Sequence, residues 1–192
     1  MTDSESMFGS SVSRRNFLAG GAAVTANVKM EFNLDSRLKT TAPGGGTGTG
    51  MDLKDSATYN NATSLTVYDA KGQDVAVTFY FQKAATDADG NDTWNVYATA
   101  NGTPFDTDSN GAAIDLDANG NPMTPYTTIT FPPTGGSPTL PTTPITMSIP
   151  AGTSARGNTT LPIADIQLDL TGATENGSSF AVTNLTQDGY AP

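Results

Sequence analysis

Ser64-Leu65-Thr66-Val67-Tyr68-Asp69-Ala70-Lys71-Gly72-Gln73-Asp74-Val75-Ala76-Val77-Thr78-Phe79-Tyr80-Phe81-Gln82-Lys83 decides the fold. Leu65 and Val67 point to one side of a first strand. Val75, Val77, Phe79 and Phe81 share one face of a second, with Ala76, Thr78 and Tyr80 on the other. A period of two is the side-chain alternation of a half-buried strand. Asp69-Ala70-Lys71-Gly72 makes the turn between them, with Gly72 suited to a positive φ. Asp87-Ala88-Asp89-Gly90-Asn91-Asp92 is a second turn, and Thr93-Trp94-Asn95-Val96-Tyr97 a third strand with Trp94 and Val96 in the core. Three consecutive antiparallel strands form a meander.

Outward from this hairpin the pattern continues. Upstream, Val28, Met30, Phe32 and Leu34 alternate with Lys29, Glu31 and Asn33, another half-buried strand. Burying those four apolar side chains is worth roughly 1.5–3 kcal/mol each before entropy is counted. Residues 40–50, with Pro43-Gly44-Gly45-Gly46, read as a flexible linker. Downstream, residues 101–127 read as a long Asn/Gly/Asp/Pro loop with one short strand at Ile114–Leu116. Short strands are expected at 128–131, 145–149, 166–170 and 180–182, separated by proline-rich links. No stretch has the period of an amphipathic helix, and no repeat has a fixed period. The expected fold is all-β: an antiparallel sandwich or small, partly open barrel of short strands with long Gly/Pro/Asn-rich loops.

Composition narrows the function classes. The chain has 192 residues, 36% of them hydrophobic, and a formal net charge of −10. Of its Lys and Arg residues only Arg156 lies beyond residue 83. No basic stripe is present to neutralise phosphates, which argues against nucleic acid, and an anionic bilayer would repel this surface. There is no Cys and no His. Disulfides, thiolate sites, the commonest metal ligand and a Ser-His-Asp triad are therefore excluded.

Candidate sites are few. Asp106-Thr107-Asp108-Ser109-Asn110-Gly111 resembles the opening of a calcium loop, and Asp87, Asp89 and Asp92 form a looser echo. Position twelve is Asp117 where a bidentate Glu is usual, and no helices flank it. Turn chemistry explains the same residues, because Asp, Asn and Gly cap their own backbone and tolerate left-handed φ. Asp165 and Asp169 could pair as hydrolytic carboxylates, but on a strand they share the solvent face opposite Ile166, Leu168 and Leu170. Trp94, Tyr97 and Tyr80 could form a sugar-stacking platform, although alternation assigns Trp94 to the core. Six Asn-X-Ser/Thr triplets arise by chance in so Asn/Thr-rich a chain. The reading is of a non-enzyme with no catalytic, cofactor-binding or metal-binding residues, no cofactor and no small-molecule substrate.

Residues 1–27 differ in character. Ser13-Arg14-Arg15-Asn16-Phe17-Leu18, then a weakly apolar Gly/Ala run and Val24-Thr25-Ala26, resemble a twin-arginine export signal. The run is too short to span a bilayer, which needs about 20 apolar residues. The alternative is a leader foreign to the domain.

Several stretches, in order, resemble the flagellar hook protein (FlgE) family: Asp55 through Gln73, Val77 through Lys83, Thr93 through Tyr97, Phe32 through Leu38, Ile166 through Thr171 and Leu185 through Pro192. The resemblance spans residues 28–192 and implies the outer β domain (a FlaE-type middle domain). It implies a structural, extracellular module of the hook, the universal joint between motor and filament that supports motility. Its partners would be neighbouring hook subunits. Hook subunits assemble through terminal helices that this sequence does not show, so the expectation is a fragment, monomeric in isolation. A twin-arginine leader departs from the family's own export route and would place the domain in the periplasm. The alternative is a free-standing exported β domain for adhesion or carbohydrate binding.

Overall fold

A computed structural model describes residues 21–154 and 156–191; the paired arginines of the leader lie outside them. Twelve strands are formed among the described residues, in two main sheets and a small hairpin. The quoted hairpin is β2 (Asn61–Tyr68) and β3 (Asp74–Lys83), in register from Asn61 opposite Phe81 to Tyr68 opposite Asp74. β4 (Asp92–Ala100) completes the meander. The far edge of β4 takes β5 (Thr103–Pro104) at one end and β6 (Thr127–Phe131) at the other.

The second sheet is built around the alternating strand at residues 28–34, here β1 (Asn27–Asp35). On one edge, β10 (Ile163–Asp169) runs parallel to the start of β1 and β11 (Thr174–Asn176) parallel to its end. On the other edge, β12 (Ala181–Gln187) runs antiparallel. β7 (Ile145–Ile149) pairs antiparallel with β10. This sheet is therefore mixed, within an all-β sandwich. β8 (Gly152–Thr153) and β9 (Thr159–Thr160) form a separate hairpin between β7 and β10.

The sheets enclose one apolar core. Val28, Met30, Phe32 and Leu34 meet Val75, Val77, Phe79, Phe81, Trp94 and Val96, all at most 1% exposed. Phe32 and Phe81 stack with ring centroids 4.7 Å apart. Removing this much apolar surface from water is the main force holding the two layers together.

The Thr40–Gly50 segment, expected to be a flexible linker, lies against the outside of the meander. Gly46 N–H closes a turn on the Ala42 carbonyl, and Ala85 N–H donates to the Gly46 carbonyl. A Cβ on Gly46 would lie 2.3 Å from Ala85 N, so only glycine allows this approach. Gly50 N–H donates to Tyr97 Oη at 2.8 Å. The long loop is anchored too: Phe105 and Tyr126 are buried edge to face, 5.5 Å apart. In place of a strand at Ile114–Leu116 there are single bridges, Thr107 with Ala113 and Leu116 with Pro122. Its backbone turns too tightly there to sustain a ladder.

Candidate functional site

The Asp/Gly-rich turns share one construction. In each of Asp69–Gln73, Asp87–Asn91, Asp108–Ala112 and Asp117–Asn121, the first N–H donates to the last carbonyl, and the Gly N–H donates back to the Asp carbonyl. The Asp Oδ1 accepts the backbone N–H two and four residues on, at 2.8–2.9 Å. These carboxylates stitch the turns, as turn chemistry requires. The Asn121 backbone and side chain hold the Asp117 carboxyl below its ordinary value, and the Asn91 side chain and backbone do so for Asp87. No cluster of three or more potential metal ligands occurs among the described residues.

The other candidates also resolve into structure. Asp165 sits at a bulge between Ile163 and Ile166 with φ 59°, exposed. Asp169 Oδ1 accepts from Thr171 N–H and Oγ1. Trp94 and Tyr97 are fully buried, on opposite faces of β4, and Tyr80 packs edge-on to Tyr59. The sugar platform is not assembled.

Two arrangements were not foreseen. The first is a polar cluster joining the sheets at the end of the sandwich where β1 finishes. Lys83 Nζ donates to the Ser36 carbonyl at 2.6 Å and lies 3.1 Å from Asp92 Oδ2 and 3.5 Å from Glu175 Oε1. Trp94 Nε1–H donates to Glu175 Oε1 at 2.9 Å. Burial pushes the Glu175 carboxyl up, against the hydrogen bond from Trp94. Burial pushes on Asp92 as well, but Thr86 and Lys83 outweigh it and leave that carboxyl low. β3, β4 and β11 thereby lock to one another.

The second lies at the opposite end, where the chain comes in and goes out. Ala23 and Tyr190 exchange two backbone hydrogen bonds, at 3.1 and 2.9 Å. Asp188 Oδ1 accepts from Ala26 N–H and Asn27 N–H, and Asp188 Oδ2 from Asn27 Nδ2. Gln187 Oε1 accepts from Thr25 Oγ1 and Gly189 N–H. A Cβ on Gly189 would fall 2.2 Å from Thr25 Oγ1. The inbound and outbound segments thus meet in a short stalk, a single bridge between Ala23 and Tyr190 held beside the start of β1.

The family comparison agrees. Residues 33–190 match the model described as flagellar basal body protein FlaE D2 domain. The chain belongs to this flagellar hook protein family. The D2 match takes in the polar cluster and the outbound strand of the stalk. The D2 family is a structural flagellar one, which implies assembly with other hook subunits and an extracellular place on the hook or basal body. No curated protein matches the chain. Neither the stalk nor the cluster has a signal in local sequence. Each joins residues more than 80 positions apart, as with Trp94 and Glu175.

Proposed function

We propose that the chain is the outer β module of a flagellar hook subunit, displayed on the exterior of the curved tube that joins motor to filament. Its work is mechanical: it touches neighbouring subunits and releases them as the hook turns. The observation that carries this reading is the family match over residues 33–190, and the pairing of Ala23 with Tyr190, which brings the inbound and outbound segments side by side, fits it. The exterior supports it too. The large apolar side chains exposed among the described residues are few: Val24, Leu116, Met123, Leu140 and Tyr190. Weakly apolar surfaces suit contacts that form and break. The isolated chain is then a monomer at ordinary concentration, with no catalytic residue and no cofactor. The domain is residues 28–192, and residues 1–27 are a leader-like segment whose last residues, Ala23 to Ala26, stay with the domain and pair with its outbound strand; export through a twin-arginine signal in that segment would instead place the same fold in the periplasm. The adhesion reading lacks its aromatic platform, because Trp94 and Tyr97 are buried on opposite faces of β4 and Tyr80 packs edge-on to Tyr59.

Grafting tests the proposal. Residues 21–191 replace the outer domain of the hook subunit in a motile bacterium. Assembled hooks and swimming cells are expected. A folded, exported chimera that never builds hooks would overturn the reading.

A further inference from the structure

We infer that copies of this module dock head to tail, the β8–β9 hairpin of one copy seating Arg156 in the acidic cleft beside Asp92 and Glu175 of the next. The inference rests on the hook-module reading and names the contact surface within it.

The two surfaces lie at opposite ends of the sandwich. The β8–β9 hairpin follows Ile149, which pairs with Ile163, and that pair lies beyond the start of β1. The hairpin's base is tied to the β2–β3 turn by Leu161 N–H donating to Asp69 Oδ2 at 2.7 Å. That turn carries the exposed Lys71, which places a second cation at this end. The hairpin's own turn, Ser154 to Asn158, presents Arg156 to solvent. Arg156 takes part in none of the ion pairs formed among the described residues. It is also the one basic residue of the sequence beyond Lys83. β3 spans ten residues between the two ends, roughly 30 Å at the rise of a strand.

At the far end a cleft of about 390 Å³ opens between the β3–β4 turn and the loop after β6, lined by Ser36, Thr86, Asp92, Pro133, Thr134 and Glu175. Its floor holds two carboxylates, Asp92 and Glu175, against one ammonium, Lys83. One negative charge is left over in a partly dehydrated site, and Ser36 adds a carbonyl. A guanidinium suits that floor: it is planar, presents several donors and is less strongly hydrated than an ammonium. The cationic knob and the acidic cleft are different patches of one chain. Their union is therefore heterologous, the kind of contact that an open helical assembly such as a tube is built from. A single such contact is weak, which keeps the free chain monomeric and lets neighbours part.

The chain has no cysteine, so introduced ones report cleanly. The full chain is made as two variants, Asn158→Cys beside the knob and Thr134→Cys on the cleft rim. They are mixed at about 1 mM, where a millimolar contact is half-formed, and oxidised. The mixed disulfide dimer should well exceed twice either homodimer, the share that random pairing of the two chains gives by itself. It should be lost when Arg156→Glu is added to the Asn158→Cys chain, whose fold circular dichroism verifies, and also in high salt. A mixed dimer at no more than that random share, or one indifferent to Arg156→Glu, would overturn the inference. The assay needs no hook, so its failure leaves the module reading standing. A failed graft leaves the docking result standing.

Discussion

Replacing Lys83 by Met removes the one cation from the cluster that joins the two sheets. Lys83 is 6% exposed. Its ammonium lies 3.1 Å from Asp92 and 3.5 Å from Glu175. At an effective dielectric constant of about 20, each attraction is roughly 5 kcal/mol gross. Much of that offsets the dehydration of three charges, and breaking such a buried set by removing one partner costs about 3–5 kcal/mol. Met keeps the packing against Trp94 but leaves two carboxylates facing each other. Glu175, already pushed up by burial, then takes a proton, which holds the loss near the lower figure, about 3 kcal/mol. Urea denaturation at neutral pH checks it. With a slope of about 2 kcal/mol per molar, the midpoint falls by about 1.5 M. Adding Glu175→Gln to Lys83→Met should recover part of the loss. Gln supplies an oxygen for Trp94 Nε1–H and removes the surplus charge. A midpoint change under about 0.5 M, or no recovery in the double variant, would refute the account of this cluster.

Other outcomes follow from the same structure. Gly189→Ala drives a Cβ to 2.2 Å from Thr25 Oγ1; hydrogen exchange should show the Ala23–Tyr190 pairing opened, with global stability down by about 1–3 kcal/mol. Phe32→Ala empties the centre of the core beside Phe81 and should cost about 3–5 kcal/mol in the same urea assay. Acid should weaken the fold through Asp35, whose carboxyl the Arg37 hydrogen bond pulls from 3.8 down to about 2; that contribution is present above the unfolded value and is lost as pH falls from 3.8 towards 2. Glu175 runs the other way: raised above its ordinary 4.5, it stabilises at low pH and loses that contribution as pH rises through its folded value, a decline that Glu175→Gln should remove. Added calcium should leave the melting temperature unchanged, because the Asp side chains of the turns already accept backbone N–H groups.

Much of the core was legible because alternation reports burial directly. Val28, Met30, Phe32 and Leu34, and the inward residues of β3, are buried as their pattern implies. The Asp-x-x-Gly turns were legible for the same local reason. What could not be read depends on which distant segment covers which surface. Gln82 and Asn95 sit on the polar face of the meander yet are at most 4% exposed. The 40–60 segment lies over them, and Gln82 Nε2 donates to the Gly50 and Thr58 carbonyls. That cover turned an expected flexible linker into packed structure. The parallel pairing of β1 with β10 and β11 was hidden as well, since nothing in residues 27–35 records a partner at 167 or 174. The stalk and the sheet-joining cluster are long-range in the same sense.

Immunogold electron microscopy of the bacterium carrying this gene tests the central claim most directly, with antibody raised against residues 21–191. The account predicts label confined to the short curved segment between basal body and filament. Label over the general cell surface or in the periplasm, with bare hooks, would contradict it.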